Sequence, residues 1–248
     1  MEKQKIIYSA VGVFLLLVLW QIMSFFMPKL VVASPVDTFI TLAGMISDKA
    51  FWYHLSISAA RIFSGIIIGS FIGFLFGIIA GFNKKVKYIL NPLKWVLMSV
   101  PAVITVVLAM LWFGMGTKMV IFITSLMLSP LVYVNTVKGI EMVDDSLLEM
   151  AQLYRLNLIL KLKHVYIPAI SGPLVSALTL VIGTGVRIVV LAEVLGTSEG
   201  IGYSLSLART NLEIPELFSW VIICIGVVAF IEFVFLKPFQ DYVLRWKK

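Results

Sequence analysis

Few residues in this 248-residue chain have the chemistry of a reactive site. Its two histidines, His54 and His164, are far apart, and Cys224 is the single cysteine. That leaves no ligand spacing for a metal and no internal disulfide. No paired nucleophile and base stands out within the apolar runs, and no glycine-rich phosphate loop occurs. No catalytic residue, metal or bound cofactor is therefore expected; if ATP is used, another chain binds it. What remains are charges in apolar company. Arg187 and Glu193 lie in the run Ile170–Leu195. A charge inside a bilayer costs at least about 2.5–3.5 kcal/mol on insertion scales, so such a residue faces a cavity or a partner. Six positions apart, the two are not an i,i+4 helical pair and need not neutralise each other. Two readings of Arg187 stay open: it meets an anionic group of a solute, or it braces a neighbouring helix or subunit. Glu193, near the end of its run, is a candidate for the same path or a helix-end polar residue. Glu232 reads as structural or interfacial. Trp112 and Phe113 close another apolar run. They read as interface-belt aromatics, with path lining as the sharper alternative.

The densest polar chemistry is in Glu141–Pro168. Carboxylates come early (Glu141, Asp144, Asp145, Glu149) and bases later (Arg155, Lys161, Lys163, His164). Ser146 and Glu149 have capping-box spacing, which predicts a helix start at Ser146, and Asp144 and Asp145 suit the positive helix end. Leu147, Met150, Ala151, Tyr154 and Leu158 recur at helical spacing as one apolar stripe. Asn157 can take a left-handed conformation and turn the chain, with a second short helix running to Tyr166 and Pro168 marking entry to the next span. Such a loop is either an amphipathic segment resting on a membrane or a rigid helical knob for a soluble partner's groove.

The elements around this loop are membrane spans. The chain is 60% hydrophobic and 13% charged, with a net charge of +7 and a mean hydropathy of +1.04. Soluble domains are about a quarter charged. The bases sit beside apolar runs, which fits membrane orientation rather than nucleic-acid binding. Six runs are long enough to cross a bilayer: 6–27, 54–82, 89–113, 119–137, 170–195 and 217–236. The first is expected as an uncleaved anchor (1–28), because its apolar core is too long for a signal peptide despite the weak cleavage-like site at Val31–Ala33. Residues 29–53 form an external segment with a short amphipathic helix after Ser34-Pro35. Residues 54–248 form the core, with spans two to six and the 141–168 loop. Glycines 65, 69, 73, 77 and 81 share one helix face and predict close packing against another helix. Pro92, Pro101 and Pro130 interrupt spans three and four.

Six spans put both termini on one side. Fourteen lysines and arginines then fall on the N-terminal side and four (Lys29, Lys49, Lys118, Arg209) on the other. The positive-inside rule places both termini and the 141–168 loop in the cytoplasm. The basic tail, Lys237–Lys248, suits anionic lipid.

The loop also carries a resemblance. Glu149-Met150-Ala151, with Arg155 six and Pro168 nineteen positions after the glutamate, resembles the EAA motif of ABC-transporter importer permeases. The likeness extends over roughly residues 30–245: Ser34-Pro35, Ser58 to Gly65 with Arg61, Pro101, Trp112-Phe113-Gly114-Met115-Gly116, Asn135-Thr136 to Gly139, Val143-Asp144, Ala192-Glu193, Gly200-Ile201-Gly202 and Ala208-Arg209 recur in order. The pattern is similar to the nitrate/sulfonate/taurine-type branch. The resemblance implies an all-α, six-span type I permease of the bacterial inner membrane, with coupling helices between spans four and five. Two copies would form a pathway, ATPase subunits (which bind ATP and Mg) would dock on Glu149, Met150, Ala151, Arg155, Asn157 and Pro168, and an external solute-binding protein would deliver a small anion or a vitamin precursor. Where the family has a turn glycine this chain has Arg155. A side chain at positive φ is strained, so the turn is expected to move to Asn157 or the first helix to run on. The alternative from a different class is an ATP-independent carrier or channel, which would show inverted repeats or a midplane cluster of charges; neither is evident.

Overall fold

The computed structural model describes residues 2–238 and Gln240; the basic stretch 241–248 of the expected tail lies outside the described residues. The described chain is helical, in the order α1 (Glu2–Phe26), α2 (Pro35–Ile46), α3 (Lys49–Phe82), α4 (Lys84–Ser99), α5 (Ala102–Phe113), α6 (Thr117–Glu141), α7 (Asp145–Leu153), α8 (Leu158–Lys161), a π-turn at Leu162–Tyr166, α9 (Ile167–Gly196), α10 (Ile201–Thr210), α11 (Ile214–Phe230) and a π-turn at Ile231–Leu236.

The centre of the fold is the α3–α6 pair. A Cβ on Gly65 would stand 2.6 Å from Thr124 Cγ2, on Gly69 2.8 Å from the Ser125 carbonyl, on Gly73 2.3 Å from the Ser129 carbonyl, and on Gly77 2.6 Å from Thr136 Cβ. The four-residue glycine spacing brings two backbones together where side chains would hold them apart. The Ser125 hydroxyl donates to the Gly65 carbonyl across this contact, at 3.3 Å. α9 packs on the other side, and Ile123, Leu128, Val132, Val181, Val189 and Ala192 are buried in the shared core. Pro130 lies inside α6 and leaves the Leu126 carbonyl without its usual partner. The neighbouring Ser129 hydroxyl takes that carbonyl at 3.1 Å, so the helix continues.

Lys49–Phe82, Thr117–Glu141, Ile159–Gly196 and Ile214–Val234 are each long and apolar enough to cross a membrane. The expected third span differs. Pro92 is accommodated inside α4, but the chain breaks at Val100-Pro101, and α4 and α5 meet at 101°. Proline removes the amide needed for continuity and drives the preceding residue out of the helical region; Val100 has ψ 127°. This stretch is a bent pair rather than a kinked single rod. The run expected as an anchor forms helix α1, but its apolar part, Ala10–Phe26, is shorter than the four helices long enough to cross. Trp20 ties it to the rest: its indole donates to the Ala33 carbonyl at 2.9 Å and stacks on Phe218 at 5.6 Å. α2 starts as expected, with Ser34 accepting from the Asp37 amide and Pro35 in the first turn. It is held to α11 by the Ser219 hydroxyl on the Thr38 carbonyl, at 3.0 Å. α3 begins at Lys49 rather than His54, capped by Asp48.

Candidate functional site

The elements sort their polar residues to two ends. At one end are Lys87, paired with Glu141, Phe82 against Tyr166, and the 141–168 loop. At the other are Tyr53, Ser58, Arg61, the 114–117 turn, Glu193 and α10.

In the loop, α7 is capped by Asp144 rather than Ser146. The Asp144 carboxylate accepts from the Ser146 amide at 2.9 Å, and its carbonyl takes the Leu147 amide at 3.0 Å. The Ser146 amide, together with its hydroxyl, holds the Asp144 carboxyl below its ordinary range. The capping box expected from Ser146 and Glu149 is therefore displaced by two residues: an aspartate just before it is an equally good cap, and Ser146 becomes its donor. α7 ends with Arg155 at φ 49°. The Leu156 amide bonds the Ala151 carbonyl at 3.0 Å, and Tyr154 bonds Met150. This is a Schellman ending with arginine in the position that glycine usually fills. The turn therefore neither moves to Asn157 nor is lost to a longer helix. Arg155 adopts the left-handed conformation itself, at a cost of roughly 1–2 kcal/mol, and the bonds that close the helix hold it there. Asn157 acts one element later, where its side chain accepts from the Leu160 amide at 2.8 Å and caps α8.

The expected apolar stripe divides. Ala151 is buried, while Leu147, Met150 and Tyr154 are exposed by 45, 51 and 71%. Glu149, Arg155 and Asn157 are exposed, and Pro168 is half-buried at the base of α9. The loop is thus a short capped helix that presents large apolar side chains and a carboxylate away from the bundle. Isolated exposed apolar side chains are common; here three recur at helical spacing beside an exposed carboxylate on one short helix.

The four path candidates do not come together. Arg187 is exposed and lines a cleft of about 660 Å³ with Val190, Leu191, Val194, Ile225 and Glu232. Among the described residues, the Arg187 and Glu232 side chains have no ion pair or hydrogen-bond partner. Trp112 and Phe113 lie elsewhere, against Phe122 of α6 at 6.3 and 4.5 Å. Glu193 is fully buried and engaged on both oxygens, which removes it from any solute-lining surface.

Glu193 instead forms a node that single-helix reasoning missed. Arg61 Nη1 reaches Glu193 Oε1 at 2.8 Å, with the two side chains only 2% and 0% exposed. Arg61 also donates to the Thr117 hydroxyl and to the Glu199 carbonyl. The Ser58 hydroxyl lies 2.8 Å from both carboxylate oxygens and accepts from the Ile201 amide at 2.8 Å. The Gly202 amide donates to Glu193 Oε2 at 2.9 Å, and the Gly200 amide donates to His54 Nδ1 at 3.1 Å. The orphan amides that open α10 are thus met by side chains of α3 and α9. The approach requires Gly200, where φ is +106° and a Cβ would stand 2.4 Å from Glu193 Oε1. The available signal was Arg61, a second charge of opposite sign within a span.

Residues 69–246 match the model of the family described as "binding-protein-dependent transport system inner membrane component". This chain belongs to that family. It is 30% identical over 217 residues to the putative aliphatic sulfonates transport permease protein SsuC of Bacillus subtilis, covering 88% of this chain and 78% of that one. It is 24% identical over 213 residues to the taurine transport system permease protein TauC of Escherichia coli, covering 85% and 77%. The fold is shared with the MetNI methionine ABC transporter in inward-facing conformations, with a TM-score of 0.62, 18% identity, and coverage of 79% of this chain and 94% of that one. The protein is a multi-pass inner-membrane permease subunit of an ABC importer, of the branch that its sequence resembles. The reading as an ATP-independent carrier or channel is set aside.

Proposed function

We propose that this permease carries a small anionic solute, delivered by an external binding protein, through a pathway formed with a second copy of the chain. The 141–168 loop transmits ATP-driven closure of the partner ATPases, which hold the nucleotide and Mg. The permease itself contributes no catalytic group. Both termini and the loop lie in the cytoplasm, in keeping with the basic bias of that side. The observation that carries the coupling role is the capped α7 helix with Leu147, Met150 and Tyr154 exposed beside Glu149. Its Schellman ending fixes the path by which the chain leaves α7. Arg187, without a protein partner among the described residues and on a cleft between α9 and α11, is the group that would meet the anion. Trp112 and Phe113 remain candidates for the outer path.

Co-purification with the cognate ATPase tests the loop. Glu149→Lys inverts a charge on the docking face and is expected to lower recovery of the ATPase with the permease and to abolish transport. Wild-type recovery and transport would refute the coupling role.

A further inference from the structure

The Arg61–Glu193 node has a role beyond internal satisfaction of charge. It joins α3 (Ser58, Arg61), the first residue of α6 (Thr117), the far end of α9 (Glu193) and the start of α10 (Ile201, Gly202), all in bonds of 2.8–3.1 Å. Two further ties close it: the Gly116 amide on the Gly196 carbonyl at 2.9 Å, and the Tyr53 hydroxyl on Glu199 at 2.9 Å. α10 has no side-chain cap of its own. Its opening amides depend on Ser58 and Glu193, so the segment cannot leave α3 and α9 without exposing those amides and stranding a buried arginine and a buried carboxylate.

The position of the node matters for a transport cycle. α6 and α9 both begin or end at the 141–168 loop and reach the node at their other ends. A displacement of the loop is carried along two packed helices to Thr117 and Glu193. Resting on the coupling reading above, we propose that Arg61 and Glu193 are positioning residues that bind the 197–212 segment to α3 and α9, so that this end of the permease moves as one body throughout the cycle. In this scheme α10 is not a lid that swings independently. It is a fixed part of the moving wall, and the ion pair transmits motion from the ATPase end to the solute-entry end.

The test uses the full transporter reconstituted with its ATPase and binding protein, with ATP hydrolysis, solute uptake and subunit recovery measured together. In a Cys224→Ser background, Tyr53→Cys and Glu199→Cys are joined by a short reducible thiol crosslinker, which tethers α3 to the start of α10. One-body motion predicts uptake within about twofold of the uncrosslinked protein. Uptake that is blocked by the tether and restored by reductant would overturn the proposal. Arg61→Lys and Glu193→Gln form the second arm. Expected is normal ATPase recovery with hydrolysis retained but uptake lowered at least tenfold, a loss of coupling that a merely structural defect would not give. Normal uptake in both variants would overturn the proposal. If neither variant assembles, the crosslink result alone decides it. Failure of the unmodified permease to retain any ATPase would instead refute the coupling reading on which the proposal rests.

Discussion

Replacing Gly73 with alanine tests whether the glycine face sets the α3–α6 distance. In an open helix the change is favourable, because alanine exceeds glycine by about 0.8–1.0 kcal/mol in helix propensity. At Gly73 the added methyl would stand 2.3 Å from the Ser129 carbonyl and 2.8 Å from Val132 Cβ. One of these is backbone and the other the branched root of a side chain, so neither can rotate away. The helices must part by about 1 Å, and a gap of that size forfeits a quarter to a half of each contact's attraction along the pair. Overpacking of this kind costs about 1–3 kcal/mol, which outweighs the propensity gain. Gly44 in α2, with nothing among the described residues within 4 Å of its would-be Cβ, provides the opposite sign in the same protein. Thermal unfolding of the purified permease in detergent should show Gly73→Ala melting below the parent and Gly44→Ala at or above it. If both melt together, the packing argument fails. Gly81→Ala should fall between them, because its nearest neighbour is the flexible Cδ1 of Ile140.

Arg155→Gly relieves the left-handed strain and should leave ATPase recovery and transport at least at parent levels, whereas Arg155→Val, β-branched at φ 49°, should reduce both; equal behaviour of the two would contradict the observed turn. Asp144→Ala removes the α7 cap and should reduce ATPase recovery, with Asp144→Asn retaining most of it. Because the Asp144 carboxyl is held below its ordinary value, its ionised, capping form contributes above that value and is lost only as pH falls through the lowered one. ATPase recovery should therefore hold at mildly acidic pH in the parent, and the difference between the parent and Asp144→Ala should be flat there. Arg187→Ala, at unchanged assembly, should lower uptake of an anionic solute at least tenfold, with Arg187→Lys intermediate; unchanged uptake would refute a role for Arg187 in the pathway.

Period and charge made the architecture legible. Apolar runs located the four helices long enough to cross a membrane and the bent α4–α5 pair, the glycine register located the α3–α6 seam, and the proline at 101 located a break. Its angle was not legible, because proline specifies where a hydrogen bond is missing and not how far the chain turns. The loop was legible as a capped helix, but its details depended on competitions that pattern cannot decide. Asp144 and Ser146 are both sound caps two residues apart. Arg155 could be placed at positive φ only once the Leu156–Ala151 bond was visible, since that bond offsets the strain. The node was the least legible. Ser58, Arg61, Thr117, Glu193 and Gly202 come from four elements, and a helical-wheel argument compares residues only within one. Arg187 was the nearer partner in sequence for Glu193, yet it faces a different cleft.

The location of the buried ion pair bears on its purpose. Replacing such a pair with well-packed apolar residues is often neutral or stabilising, so stability alone does not account for it. An apolar substitute could pack α3 against α9, but it could not satisfy the opening amides of α10, for which the bundle offers Ser58 and Glu193. A carboxylate satisfies them through backbone bonds of fixed direction, and Arg61 keeps it aimed. Directional bonds transmit rotation, whereas apolar contacts permit sliding. A permease that must convert displacement at Glu141–Pro168 into movement at the far end of the same helices gains from a joint that does not slip, and the arginine–carboxylate–amide node is the joint that these residues build.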